Sequence, residues 1–169
     1  MSEQMGGGGR AGSALAPMTP EGFKKLQEEL KHLKSVERPK NVQEIEVARA
    51  HGDLRENAEY HAAKERQSHI AARMAYLEDR IARAQVIDPS TIVHEKIVFG
   101  ATVRITDVDS GEEIIYQIVG EHESDVKNGR ISIESPIAKS LIGKEASDVV
   151  KVVTPRGARE FEVLEIKYG

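Results

Sequence analysis

The sequence predicts an α+β protein: an N-terminal antiparallel α-helical coiled-coil hairpin followed by a small C-terminal β-sheet domain with one short helix. Three observations predict it. Apolar residues recur at three- and four-residue steps in two runs of about thirty residues, enough for two rods of roughly 45 Å at about 1.5 Å rise per residue. The polar stretch His51-Gly52-Asp53-Leu54-Arg55-Glu56-Asn57-Ala58-Glu59-Tyr60 separates these runs, and Gly52, lacking a Cβ, permits the chain to reverse. From Ile97 the period changes to short β-branched runs broken by turn residues.

Residues 1–17 hold Gly6-Gly7-Gly8-Gly9 and almost no bulky apolar side chain, the composition of a flexible tail. Thr19 is placed to cap a helix with Pro20 at its first position, where a missing N–H costs nothing. Phe23, Leu26, Leu30 and Leu33 form one narrow stripe on this first rod. Pro39 interrupts it, and the apolar positions restart at Val42, Ile45 and Ala48, so a kink with a shifted register is expected. The second rod carries Tyr60, Ala63, Gln67, Ile70, Met74, Leu77, Ile81 and Ala84, a coiled-coil seam. A short connection between rods of matching length gives an antiparallel hairpin over residues 18–86.

Asp88-Pro89-Ser90 ends the helical region, and residues 87–96 read as a linker. Five strands are expected in 97–169: Val98–Ile105, Glu113–Val119, Arg130–Glu134, Val149–Thr154 and Glu160–Ile166. Asp109-Ser110-Gly111, Asn128-Gly129 and Pro155-Arg156-Gly157 supply turns between them. Ser135 can cap a short helix from Pro136 to Gly143.

Composition removes several classes. There is no cysteine, which excludes a disulfide framework and a thiolate zinc finger. No apolar run is long enough for a membrane span and no signal-peptide h-region is present, so the expected location is the cytoplasm. Residues 20–86 hold 13 Lys/Arg against 12 Asp/Glu and residues 87–169 hold 10 against 15, giving the net charge of −4. A general duplex-DNA binder needs a concentrated basic face, which this balance lacks. His51, His61 and His69 lack the spacing and third ligand of a zinc site.

The turn itself carries the chemistry-bearing residues. Asp53 and Glu56, three apart, would project from the tip of the hairpin. Spacing alone favours a plainer role, because Asp-x-x-Glu is close to a capping box worth about 1 kcal/mol. Asn57 can hydrogen-bond across the turn, and Tyr60 can pack beneath it. Arg49, Arg55 and Lys64 could face a nucleic-acid strand near the tip, or be ordinary surface charges of a coiled coil.

The stretch from His51 to Tyr60 closely resembles a motif of the GreA/GreB family of bacterial transcript cleavage factors. So do Ile97-Val98-Phe99-Gly100-Ala101-Thr102-Val103 and Ser135-Pro136-Ile137-Ala138-Lys139-Ser140-Leu141-Ile142-Gly143-Lys144. The similarity runs from about Met18 to Gly169 in order. It implies an FKBP-like fold for the second domain and, as partner of a monomeric chain, bacterial RNA polymerase. In the family the second domain grips the mouth of the secondary channel and the hairpin enters it. The resemblance also implies that the chain is not itself an enzyme: Asp53 would stabilise a weakly held Mg²⁺ shared with polymerase, and Glu56 would position or help deprotonate a water at the 3′ end of backtracked nascent RNA. Hard carboxylate oxygens suit Mg²⁺, which often takes only one or two protein carboxylates. Gly52, Asn57 and Tyr60 would support the tip, and Ser135, Pro136 and Ile137 would contact polymerase.

Two rival readings stay open. A channel-blocking regulator of the same architecture would inhibit polymerase, although such tips are denser in aspartate. A prolyl isomerase or chaperone would share the FKBP-like fold, but Phe99, Tyr116, Phe161 and Tyr168 are few aromatics for a proline pocket. The chain departs from the family pattern in the tail before Met18 and in Arg55, where lysine is common; arginine keeps its proton. The near-neutral hairpin matches the less basic branch of the family, since a larger basic patch would hold longer extruded RNA more strongly.

Overall fold

The computed structural model describes residues 15–53, 56–92 and 94–169, so most of the expected tail and the candidate Arg55 lie outside the described residues. The first arm of the hairpin comprises α1 (Pro20–His32), a π-helical turn (Leu33–Glu37) and α2 (Arg38–Arg49). Thr19 caps α1, its hydroxyl accepting the Gly22 N–H at 3.1 Å. The π turn explains the expected register shift. Pro39 has no N–H to give the carbonyl four residues back, and its ring would crowd that carbonyl. The helix instead widens just before it, with the Arg38 N–H reaching Leu33 O. One extra residue in that turn brings Asn41, Ile45 and Ala48 inward and leaves Val42 44% exposed. Val42 was expected in the stripe; Asn41, 2% exposed, takes its place.

The second arm, α3 (Ala58–Ala82), buries Ala63, Ile70, Met74 and Leu77. Gln67, expected in the seam, is exposed and accepts from Lys64 Nζ at 2.9 Å. The arms run antiparallel: Asn41 Nδ2 donates to Ala63 O at 2.9 Å near the tip, while Leu26 and Leu77 pack together at the base. Arg73 bridges to Glu29 at 2.7 Å and Arg66 to Glu37 at 2.8 Å across the outer faces. These pairs are exposed and set register more than stability, at about 0–1 kcal/mol each.

The base is closed by two strands. β1 (Ala16–Met18) pairs in parallel with β2 (Ala84–Val86). The stretch read as tail therefore ends in a strand, and Ala84, read as seam, belongs to β2 because α3 stops at Ala82. Met18, Leu26 and Leu77 form the buried cluster beneath.

The second domain has β3 (Thr102–Asp107), β4 (Glu113–Val119), β5 (Arg130–Ser132), α4 (Pro136–Leu141), β6 (Val149–Thr154) and β7 (Gly157–Lys167). The sheet order is β5-β4-β3-β7-β6, with β4 and β5 parallel and the other pairs antiparallel. The five strands and single helix match the expected set. β3 starts later than expected, because a turn in which the Ala101 N–H reaches Val98 O precedes it. One face of the sheet packs on Ala138 and Leu141 of α4, with Ile97, Val103, Ile105, Ile118 and Val163 fully buried between. No described helix is long and apolar enough to cross a membrane.

The β3–β4 turn is organised by Asp107, which is 4% exposed. Its carboxylate accepts from the Ser110 N–H at 3.1 Å and the Asp109 N–H at 2.9 Å, and Arg159 lies 2.9 Å away. The Ser110 and Asp109 N–H groups, with Arg159 adding to them, hold its pKa below the ordinary aspartate value. A depressed folded pKa contributes stability that is present above the unfolded value and lost as pH falls through the folded one. Asp107→Asn is therefore expected to melt lower than the native chain at pH 7, with the gap closing as pH falls below the ordinary aspartate range. Thermal melts across pH test this, and a gap independent of pH would contradict it.

Candidate functional site

The tip lies between the end of α2 and the start of α3. After Arg49 the helix tightens, Ala50 and His51 donating back to Val47 O and Ala48 O, each at 3.2 Å. Gly52 then adopts φ +113°, a conformation that disfavours side chains, and among the described residues beyond its chain neighbours no heavy atom lies within 4 Å of where its Cβ would stand. The backbone conformation is itself a constraint on the residue there.

Asn57 ties the two arms together. Its Oδ1 accepts the Tyr60 N–H at 3.0 Å, which makes it the N-cap of α3. Its Nδ2 donates to Ala48 O at 2.6 Å, one of the last carbonyls of α2. One amide thus serves an unpaired donor at one helix end and a carbonyl at the other. Asn57→Ala is expected to cost about 1 kcal/mol, the usual value of an N-cap, and to fray the first turn of α3. Hydrogen exchange at Tyr60 and His61 measures it; unchanged protection there would contradict the role.

This placement revises the capping reading of the acidic pair. α3 begins at Ala58, so Asp53 and Glu56 lie in the turn ahead of it, and Asn57 does the capping. Both acidic residues are exposed at the end of the hairpin. Tyr60 is half-buried beneath them, with the Arg49 guanidinium 5.9 Å from its ring centroid and the His61 ring 5.7 Å away edge-on. Arg49 is thereby anchored beside the tip by a cation–π contact. Lys64 is exposed on α3 and engaged with Gln67. Among the described residues no three His, Asp or Glu groups come together where they could hold a metal ion.

The Ser135-Pro136-Ile137 segment lies apart from the tip, in the second domain. Ser135 Oγ accepts the Ala138 N–H at 3.3 Å and donates to Ser132 O at 2.7 Å, so its contacts are those of a helix start. Pro136 is exposed at the first turn, and half-buried Ile137 packs on the domain core.

Glu123 went unnoticed in the sequence. It is a buried carboxylate between the two domains that accepts from both the Thr19 N–H and the Thr19 hydroxyl. Gly22 was the available signal, since a glycine in the first turn of a helix is a poor helix former that marks a close approach.

Comparison with known proteins places this architecture. Residues 16–86 match the family model described as transcription elongation factor, N-terminal, and residues 92–168 match transcription elongation factor, GreA/GreB, C-term. Transcription elongation factor GreA of Phenylobacterium zucineum is 58% identical over 152 residues, covering 90% of this chain and 97% of its own. That of Allorhizobium ampelinum is 58% identical over 153 residues, with coverage of 90% and 97%. That of Alkalilimnicola ehrlichii is 54% identical over 154 residues, with coverage of 90% and 98%. Among solved structures, GreA factor homolog 1 of Thermus thermophilus aligns at 28% identity over 90% of this chain and 98% of its own, with a TM-score of 0.42. With both family models matched in order and together covering nearly all of the chain after residue 15, the chain belongs to the GreA/GreB family of transcription elongation factors.

Proposed function

We propose that this elongation factor acts on bacterial RNA polymerase by inserting its hairpin into the secondary channel, where the tip carboxylates complete the site that cleaves the 3′ end of backtracked RNA. The observation that carries the reading is the position of Asp53 and Glu56: both exposed, at the end of the hairpin, in the turn ahead of the Asn57 cap of α3. Family membership supports the partner, and the hairpin supports the reach.

The donor set fits a shared Mg²⁺. Two carboxylates supply hard oxygen ligands but too few to hold the ion strongly without further ligands from polymerase and phosphate. When bound, Mg²⁺ supplies charge stabilisation and a more acidic water at the phosphodiester. Asp53 would hold the ion from the protein side, and Glu56 would position or help deprotonate the water. The anchored Arg49, with Lys64 further along the arm, offers cationic groups to the RNA strand. Pro136, exposed at the start of α4, is the member of its segment best placed to meet polymerase, while Ser135 and Ile137 shape the surface from within.

The test is a purified polymerase complex stalled in a backtracked state with Mg²⁺, with and without the chain. Release of short 3′ RNA fragments that depends on the chain supports the reading. Binding that suppresses intrinsic cleavage would replace it with a channel-blocking regulator.

A further inference from the structure

We infer that Glu123 is a positioning residue that clamps the helical hairpin to the second domain and so fixes the direction in which the tip points; its consequence for cleavage rests on the function proposed above.

Glu123 lies in a short turn after β4, and its side chain reaches back to the N-terminal end of α1. One carboxylate oxygen accepts the N–H of Thr19, the N-cap of α1, at 3.0 Å and the Gly120 N–H at 3.1 Å. The other accepts the Thr19 hydroxyl, and the Arg130 guanidinium stands 3.6 Å away. Thr19 and Glu123 are both buried. The clamp is therefore continuous with the helix: the hydroxyl that caps α1 through the Gly22 N–H is the same one that donates to Glu123. The carboxylate thus grips α1 through a backbone N–H and the cap hydroxyl together, two bonds that reorienting the hairpin would bend or break.

Among the described residues a second polar link between the hairpin and the second domain, Arg80 to Glu121 at 2.9 Å, has an exposed carboxylate. Charge-assisted bonds in a buried site outweigh such a pair, which solvent screens. Gly22 shows how closely the two domains meet. A Cβ there would stand inside contact distance of the Glu123 carboxyl carbon, and the flexible carboxylate would have to give way. Gly22→Ala thus unseats the clamp from the hairpin side while improving helix propensity, the opposite of a general loss of fold.

The experiment uses the full chain. Because it has no cysteine, Val47→Cys and Val126→Cys, both on exposed positions, give two clean spin-label sites, one near the tip and one in the second domain. The inter-label distance distribution in the free protein is expected to be single and narrow. Glu123→Ala and Gly22→Ala are expected to broaden it, with helix content retained by circular dichroism. Glu123→Gln keeps a carbonyl for the two N–H groups and a neutral amide for the Thr19 hydroxyl, so it is expected to restore the narrow distribution. In the unlabelled proteins, cleavage should fall roughly 10-fold in the Ala variants with polymerase affinity unchanged, given that ångström-scale misplacement of reacting groups costs up to about 10²-fold. A distribution that stays narrow in both Ala variants overturns the clamp, and full cleavage activity from a chain whose distribution has broadened overturns its role in aiming the tip. If the native chain fails to stimulate cleavage, the proposed function fails, and the distances alone still decide whether Glu123 holds the hairpin.

Discussion

Replacing Asp53 or Glu56 by alanine is expected to lower cleavage of backtracked RNA by roughly 10²-fold or more, in the range that removal of one preorganised charge-stabilising group costs an active site. Polymerase affinity is expected to hold, because both side chains are exposed at the tip and α3 keeps its Asn57 cap without them. The two variants should differ in kind. Asp53→Ala removes the residue assigned to the metal and should be partly relieved by high Mg²⁺. Glu56→Ala removes the residue assigned to the water and should be partly relieved by high pH. If either variant binds polymerase more weakly in proportion to its loss of cleavage, the tip contributes docking rather than chemistry.

Leu77→Ala carries the largest expected effect on stability. Leu77 is 0% exposed at the base of the hairpin, packed with Met18 and Leu26. Truncation leaves a cavity that this small cluster has few neighbours to refill, and a buried Leu→Ala substitution costs about 2–5 kcal/mol. The loss falls on the hairpin, since the second domain has its own core around Val103, Ile105 and Val163. A two-step thermal unfolding is therefore expected, with the helical signal lost first and the sheet signal little moved. Simultaneous loss of both signals at a lower temperature would mean that the two domains unfold as one unit.

Periodicity carried the architecture because each arm and each strand buries one face, and burial leaves its period in the sequence. It failed where geometry departs from the regular repeat. Pro39 announced an interruption but not its form, and the π turn before it moved Asn41 rather than Val42 into the seam. β1 and β2 are three residues each, too short to show alternation, so their sequence has the look of a tail and a helix end. Two residues of N-cap type stand at the tip, Asp53 first and Asn57 second; spacing with Glu56 points to the first, and Asn57 reads only as bonding across the turn. The structure uses the second for a reason local rules do not encode: an amide can accept the Tyr60 N–H and donate to Ala48 O at once, whereas a carboxylate can only accept. Glu123 is 104 residues from Thr19, and no local pattern records a contact of that length.

The central claim is that the tip supplies metal-holding carboxylate to polymerase, and the Mg²⁺ dependence of cleavage tests it most directly. Cleavage rate in a backtracked complex would be measured against Mg²⁺ concentration with no factor, with the native chain and with Asp53→Asn, which keeps the shape of the side chain but removes its charge. The account expects the native chain to shift the half-saturating Mg²⁺ concentration well below that of polymerase alone, and Asp53→Asn to return it most of the way. A midpoint that is the same in all three, with only the maximal rate changing, would contradict it.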